Sequence, residues 1–158
     1  MLESPLSKAI PILNISLRWA GKSLFILSGW CCRLTYPISY DCTVRLFDHR
    51  KPLTPVTQAD VGGGAWRVKW HPSPSRKHDL LVACMHDGFK LVKFRDVWDA
   101  NQSLTAYQEN WKIAQTFDEH NSLAYGVDWS FADDTNEAGK TIVASVSFYD
   151  HSLFLWRA

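Results

Sequence analysis

Residues 62–94 read GGGAWRVKWHPSPSRKHDLLVACMHDGFKLVKF, and much of this pattern recurs about sixty residues later in the chain. Near its start, residues 66–70, WRVKW, alternate large apolar side chains with basic ones. Residues 125–129, YGVDW, alternate large apolar side chains with small or acidic ones. Successive side chains of a strand point to opposite faces, so each stretch predicts a strand with one large apolar face.

The same series of elements follows both stretches. A loop comes first, then a second apolar strand, a tight turn that contains Asp, and a third strand that ends near residue 94 or 156. The second strands lie at residues 80–85 and 142–148. The turns lie at residues 86–88, HDG, and at residues 149–151, YDH. Residues 111–117, WKIAQTF, also alternate and predict a fourth, outer strand. Repeated antiparallel units of this kind are typical of the blades of a β-propeller, so we predict an all-β fold.

A partial copy of the unit precedes the other two. Residues 39–48, SYDCTVRLFD, place the turn-forming Asp41 before an alternating strand. We therefore predict a partial propeller over residues 39–158, with about two complete four-stranded blades plus a remnant. Residues 1–38 do not match the pattern, and we interpret them as a separate segment that is poorly ordered or artefactual.

Composition narrows the classes of function. The 158-residue chain carries 17 Lys and Arg against 16 Asp and Glu, a net charge of +1. This balance provides no field that would hold a polyanion, so we expect no nucleic-acid partner. Residues 10–32 are fairly apolar, but Arg18 and Lys22 interrupt them, so no membrane span is predicted.

The cysteines indicate the redox environment. Cys31, Cys32, Cys42 and Cys84 have no C-x-x-C spacing, which argues against a disulfide framework or a zinc site. We therefore expect a reducing, cytoplasmic location and neither a bound metal nor a cofactor. Cys84 lies within an apolar strand, where a thiol is expected to be a small buried side chain rather than a nucleophile.

Two segments resemble a known family. Residues 39–48, SYDCTVRLFD, and 147–156, SFYDHSLFLW, resemble the ends of WD40 repeats. In that family a His before the blade, a Ser or Thr on the second strand, the turn Asp and a closing Trp form a hydrogen-bonded structural set. In the last unit the resemblance assigns these roles to His120, Ser147, Asp150 and Trp156. The middle unit keeps Asp87, but Cys84 stands where the Ser is expected and Lys93 where the Trp is expected.

A more specific resemblance rests on four segments in order: GGGAWRVKWHP, LLVACMHDGFKLV, HNSLAYGVDWSF and SFYDHSLFLW. Together they resemble the carboxy-terminal part of the diphthine methyl ester hydrolases, WD-repeat proteins of diphthamide biosynthesis. The resemblance implies hydrolysis of a methyl ester on a modified histidine of translation elongation factor 2, which releases methanol. The upstream blades of that family are absent, so we expect a truncated or mis-assembled product that is inactive or impaired. A non-catalytic WD40 platform for protein interaction is the alternative.

Ester hydrolysis needs a base that activates water and donors aimed at the developing oxyanion. His86 is the first candidate for the base, because it precedes Asp87 in the unit that has lost the other members of the structural set. A His in a turn can equally hydrogen-bond the local backbone. Asp150 and His151 form a second candidate pair, although the resemblance already gives Asp150 a structural role. His151 could supply a proton or orient the substrate.

The substrate implied by the resemblance carries a quaternary ammonium, which prefers aromatic faces and carboxylates. Aromatic side chains on strands more often belong to the core. The candidates for such a surface are Trp66, Trp70, Tyr125, Trp129 and Tyr149.

Other polar residues point to structural roles. The chain has no G-x-S-x-G motif, so Ser145 and Ser147 are expected to be hydrogen-bonded hydroxyls within a strand rather than nucleophiles. Lys69 and Asp128 occupy equivalent positions in the two units and are expected to form an ion pair. Three further histidines are expected at the surface: His49, His71 and His78.

Overall fold

The computed structural model describes residues 34–35, 40–48, 51–95, 110–131 and 139–158. In these residues the regular structure consists of strands and one short 3₁₀ helix, Pro74–Arg76, so the predicted all-β class is confirmed. The strands are, in chain order, β1 Leu34–Thr35, β2 Thr43–Asp48, β3 Lys51–Asp60, β4 Arg67–Trp70, β5 Asp79–Ala83, β6 Phe89–Phe94, β7 Trp111–Phe117, β8 Ala124–Trp129, β9 Ile142–Ser147 and β10 Leu153–Arg157.

The strands form three antiparallel sheets. The first sheet has the order β1-β2-β3, the middle sheet β4-β5-β6-β7, and the last sheet β10-β9-β8. The middle sheet has the four strands that the pattern predicts, and β7 is its outer strand. Within the described residues the last sheet has three strands, where the pattern predicts a four-stranded blade.

Strand β3 lies outside the predicted elements, although it spans ten residues. Its sequence, KPLTPVTQAD, contains two prolines, which cannot donate to a ladder and therefore argue against a strand. The structure places β3 at the edge of the first sheet, where proline is tolerated, and the register shifts where Pro55 lies opposite Phe47. The remnant is therefore a sheet in its own right.

The middle sheet lies between the other two and is apolar on both faces. All five residues of β5 are buried. Leu80 and Val82 point into a cluster shared with the first sheet, whereas Leu81 and Ala83 point into a cluster shared with the last sheet. Successive sheets that pack face to face in this way agree with a partial β-propeller, and the predicted fold is confirmed.

The first strands of the middle and last sheets are joined by the predicted ion pair. Lys69 Nζ and Asp128 Oδ2 are 2.8 Å apart, and both side chains are partly exposed. Such a pair contributes no more than about 1 kcal/mol. The Trp129 indole also donates to the Lys69 carbonyl at 3.0 Å. Together these contacts fix the position of β8 relative to β4.

Most of the segment 1–38 lies outside the described residues. The structure describes only Leu34–Thr35 of it, which pairs with β2 as strand β1. His49 also lies outside them. In the part of the chain that the structure describes, no helix is long and apolar enough to cross a membrane.

His71 is not at the surface, so the expectation for this residue is wrong. Its side chain is buried, and its ring lies edge-on to Trp129 with 4.6 Å between the centroids. Nδ1 accepts a hydrogen bond from the Ser73 N–H at 3.0 Å, so Nε2 carries the proton and donates to Thr141 Oγ1 at 2.8 Å. His78 is half-buried. The last sheet, which is distant in sequence, covers the end of β4, and for this reason the local pattern did not predict that His71 is buried.

We expect His71 to make the stability depend on pH. Burial first, and then the nearby Arg76 guanidinium, lower the pKa of His71 from 6.5 to about 4. Because the folded-state pKa is the lower one, the unfolded chain takes up this proton first as the pH falls, and stability is lost below pH 6.5. From this group, the free energy of unfolding should drop by about 1 kcal/mol between pH 6.5 and 5.5. Urea unfolding at both pH values measures the drop.

The control is His71→Gln, which keeps a polar side chain but does not titrate. The difference between the two pH values should shrink by about the same 1 kcal/mol in this variant. An undiminished difference would show that other groups cause the pH dependence.

Candidate functional site

The turn between β9 and β10 holds Asp150 in a fixed position. Its carboxylate accepts hydrogen bonds from the Ser152 N–H and the Asn121 N–H, each at 3.2 Å, and from the Ser147 hydroxyl. Burial acts to raise the pKa of Asp150, but the hydrogen bonds from Ser152 and Asn121 and the nearby His120 outweigh it and lower that pKa. Asp150 is therefore ionised at neutral pH and ties the loop before β8 to the turn.

His120 lies behind this turn in an aromatic enclosure. Its Nδ1 lies 2.9 Å from Ser147 Oγ and 2.8 Å from Ser152 Oγ, and its Nε2 lies 2.9 Å from Ser145 Oγ. Burial lowers the pKa of His120 even though Asp150 acts to raise it, so the ring is neutral at pH 7. The surrounding rings are Phe89, Phe117 and Phe154.

Hydrogen bonds connect the four residues of the predicted structural set in the last unit, but a fifth residue, Ser145, takes part. The Trp156 indole N–H donates to Ser145 Oγ at 3.2 Å, and Ser145 also bonds His120. Ser147 bonds His120 and Asp150 instead. Ser145 therefore joins the Trp to the His, a role that the sequence reasoning gave to Ser147. The alternation of β9 places both serines on the same face, which is the signal that could have found this.

The middle unit replaces this set with a buried cation. Lys90 Nζ donates to the Val61 carbonyl at 2.6 Å and pairs with the Asp87 carboxylate, and only 8% of the Lys90 side chain is exposed. Sequence reasoning missed Lys90. Its signal is a Lys on the apolar strand FKLVKF that directly follows the Asp turn.

In the middle unit, the residue that corresponds to the closing Trp differs by one position from the predicted one. Val92 pairs with Leu80, as Trp156 pairs with Val143, so Val92 rather than Lys93 corresponds to Trp156. The cause is the length of the turn. The backbone hydrogen bond from the Ser147 N–H to the Ser152 carbonyl encloses one more residue than the bond from the Cys84 N–H to the Gly88 carbonyl. His151 adopts a left-handed conformation in the longer turn, with φ 50°.

Cys84 is a buried thiol, as expected. Its side chain is fully covered, and burial is the main cause that raises its pKa to about 12. A thiol with this pKa does not form the thiolate that nucleophilic chemistry requires at neutral pH.

A cleft of about 860 Å³ opens between the turns of the middle and last sheets. It is lined by His86, His120, Asn121, Ser122, Leu123, Tyr149 and Asp150. It therefore brings together His86 from one turn and Asp150 from the next, two of the three predicted site residues. The third, His151, is exposed and is not among the lining residues.

His86 also borders a second cavity, of about 540 Å³, between the first and middle sheets. This cavity is lined by Tyr40, Cys42, Gly62, Gly63, Gly64, Met85, His86 and Asp87. The glycines are required where the loop passes the β5–β6 turn, because a Cβ on Gly63 would lie 2.1 Å from the Cys84 carbonyl oxygen. His86 is thus the side chain that both openings share.

The first cleft combines groups that can support proton transfer. His86 offers an exposed imidazole, Asp150 an ionised carboxylate and Asn121 an amide. Asn121 is a lining residue that the sequence reasoning did not name, whereas Tyr149 was named only as a candidate for an aromatic surface. Among the described residues, no group of three His, Cys, Asp or Glu side chains is arranged to hold a metal ion.

Comparisons with known proteins give the relatives of this chain. No family model matches it. It is 38% identical over 120 residues to the diphthine methyltransferase homolog of Dictyostelium discoideum, and this match covers 75% of this chain and 30% of that protein. It is 40% identical over 93 residues to the diphthine methyltransferase of Mus musculus, covering 59% of this chain and 18% of that protein. The Saccharomyces cerevisiae diphthine methyltransferase is 30% identical over 135 residues, covering 75% of this chain and 30% of that protein.

The chain spans less than a third of the length of these curated relatives. The matches nonetheless extend over most of the chain itself. The chain is therefore a homologue of the proteins named diphthine methyltransferase.

Proposed function

We propose that this protein acts in diphthamide biosynthesis and hydrolyses the methyl ester of methylated diphthine on translation elongation factor 2. The observation that carries the proposal is the cleft that joins His86 and Asp150, in a chain whose relatives are named for diphthine. Ester hydrolysis needs a base for water and a donor for the oxyanion, and groups of both kinds line this cleft. The proposed site comprises His86, Asp150 and His151.

In the proposed reaction, His86 takes a proton from a water molecule as the water oxygen attacks the ester carbonyl. The carbonyl oxygen becomes an oxyanion, and the Asn121 side-chain amide is the candidate donor to it. The tetrahedral intermediate then expels methoxide, which receives the proton back from His86 and leaves as methanol. The product is a carboxylic acid on the elongation factor, which loses its remaining proton to solvent and becomes a carboxylate. Asp150 stays ionised and positions the cleft wall through Asn121 and His120, while His151 orients the substrate from the rim.

Oxygen labelling tests this function. The chain and the Mus musculus relative are incubated in H₂¹⁸O with elongation factor 2 that carries methylated diphthine. We expect unlabelled methanol and one ¹⁸O atom in the new carboxylate, with slower release by the shorter chain. If neither protein releases methanol, or if the label enters the methanol, hydrolysis at the carbonyl is excluded.

The alternative is a non-catalytic platform for protein interaction. It is favoured by large apolar side chains at the surface, such as Tyr40, Tyr149 and Leu155, which are 68%, 70% and 68% exposed. A platform would bind the elongation factor equally well with and without the methyl ester and would leave the ester intact. The same labelled incubation, followed by mass spectrometry of the elongation factor, separates the two functions.

A further inference from the structure

The turn between β5 and β6 contains a strained residue, Met85, directly before the candidate base His86. The φ of Met85 is 47°, in the left-handed region that a residue with a long side chain rarely adopts. Among the described residues, only two other non-glycine residues have a positive φ, and these are Cys42 and His151. Strained backbone of this kind persists only where the surrounding structure holds it, and it clusters at functional sites.

The hydrogen-bonding pattern of the turn explains why the strain falls on Met85. The Asp87 N–H donates to the Cys84 carbonyl at 2.9 Å, so residues 84–87 form a four-residue turn with Met85 at its second position. A positive φ at this position is typical of the hairpin turns that glycine favours. In the last unit the left-handed residue is His151, which lies later in its turn. The middle unit therefore turns sharply just before its histidine.

Two neighbouring segments hold Met85 in this conformation. Its carbonyl oxygen accepts a hydrogen bond from the Ala124 N–H at 2.8 Å, at the start of β8 in the last sheet. Its side chain lies against Gly64, where a Cβ would come within 2.8 Å of the Met85 Sδ. The turn is therefore fixed by the last sheet on one side and by the loop of residues 62–64 on the other.

The segment 121–124 connects the two turns that border the cleft. At one end of the segment, the Ala124 N–H donates to the Met85 carbonyl. At the other end, the Asn121 N–H donates to Asp150 Oδ2 at 3.2 Å. The spacing of the two turns therefore depends on the backbone of Met85 as well as on the packing of the sheets.

The ring of His86 is exposed, and it has no hydrogen-bond partner within the part of the chain that the structure describes. The backbone that carries the ring therefore sets its direction. We propose that Met85 is a positioning residue for His86: its left-handed backbone, held by Ala124 and Gly64, directs the imidazole into the cleft. The assignment deepens the proposed function and rests on it for the role of His86, whereas the contacts of Met85 are independent of that function.

Urea unfolding and NMR test the position of Met85 without any substrate. Glycine is normally less stabilising than alanine, but it adopts a positive φ without strain. Because Met85→Gly and Met85→Ala both lack the packed side chain, we expect the glycine variant to have the higher urea midpoint. The order parameter of the His86 N–H should be about 0.85 in the parent and fall below about 0.6 in Met85→Gly. An alanine variant at least as stable as the glycine variant, or an unchanged order parameter, overturns the proposal.

Single-turnover methanol release tests the link to catalysis. Met85→Gly should lower the rate constant about tenfold and leave the affinity for the elongation factor unchanged, because a misplaced base slows the reaction without altering the contacts that hold the substrate. Met85→Leu conserves the volume of the side chain and should retain the parental rate. The control variant is Cys42→Gly, which relaxes a left-handed residue of the first turn, φ 62°, and should leave the rate unchanged.

The outcomes separate this assignment from the proposed function. A tenfold loss in Cys42→Gly, or no loss in Met85→Gly, contradicts the role of Met85 while methanol release by the parent still supports hydrolysis. If the parent releases no methanol, the proposed function fails, and the urea and NMR measurements decide whether Met85 positions His86.

Discussion

Replacement of His86 by glutamine is expected to slow methanol release from methylated elongation factor 2 by about 100-fold or more, the usual loss when a general base is removed. Glutamine keeps a polar side chain of similar length but cannot take the proton from water. His86 is exposed in its turn, so the variant should fold as the parent does. Single-turnover incubation of the chain, with methanol measured over time, gives the ratio directly.

His151→Asn compares the second candidate histidine with the first. His151 lies in the next turn and is exposed, and its left-handed backbone, φ 50°, is one that Asn tolerates. Because His151 is not among the residues that line the cleft, we expect a smaller loss than the loss of about 100-fold expected when a general base is removed. Unchanged turnover in His86→Gln would remove His86 as the base. A loss of about 100-fold in His151→Asn would move the base to that turn.

The second large effect is expected from Asp87→Ala, which leaves the buried Lys90 ammonium without its carboxylate. Removal of one partner of a buried pair costs about 3 to 5 kcal/mol, and since half of the Asp87 side chain is exposed we expect about 2 to 3 kcal/mol here. The exposed fraction is 49% for Asp87 and 8% for Lys90. Urea unfolding at pH 7 measures the loss.

The double variant Asp87→Ala/Lys90→Met tests the cause. Methionine removes the charge and keeps an apolar chain, so the double variant should be more stable than Asp87→Ala alone. Asp128→Ala is the matched control, because its partner Lys69 is partly exposed, and it should cost less than about 1 kcal/mol. A double variant less stable than Asp87→Ala alone would show that Lys90 does not depend on this carboxylate.

Local pattern predicted most of the strands because their periodicity reports directly on burial. The alternation WRVKW gave β4, and the corresponding YGVDW gave β8, each within one residue of its observed bounds. Strand β3 escaped prediction because its prolines are compatible with a strand only at a sheet edge, and edge position is a property of the whole sheet.

The candidate site was only partly predictable for a related reason. His86 and Asp150 stand out locally because each belongs to a turn, but that both line one cleft depends on the packing of two sheets. Local pattern did not separate exposed from buried rings either, because the same alternation marks Tyr125, which is 40% exposed, and Trp129, which is buried.

The sequence by itself determined the all-β class, the repeated unit and the Asp-containing turns, since alternation and turn chemistry act over a few residues. The tertiary structure decided the one-residue offset that aligns Val92 with Trp156, because turn length and interstrand register together set which residues face each other. It also decided that His71 is buried, that Ser145 joins His120 to Trp156 and that Lys90 is an enclosed cation. Each of these depends on which sheet covers a side chain, and that contact comes from residues far away in the chain.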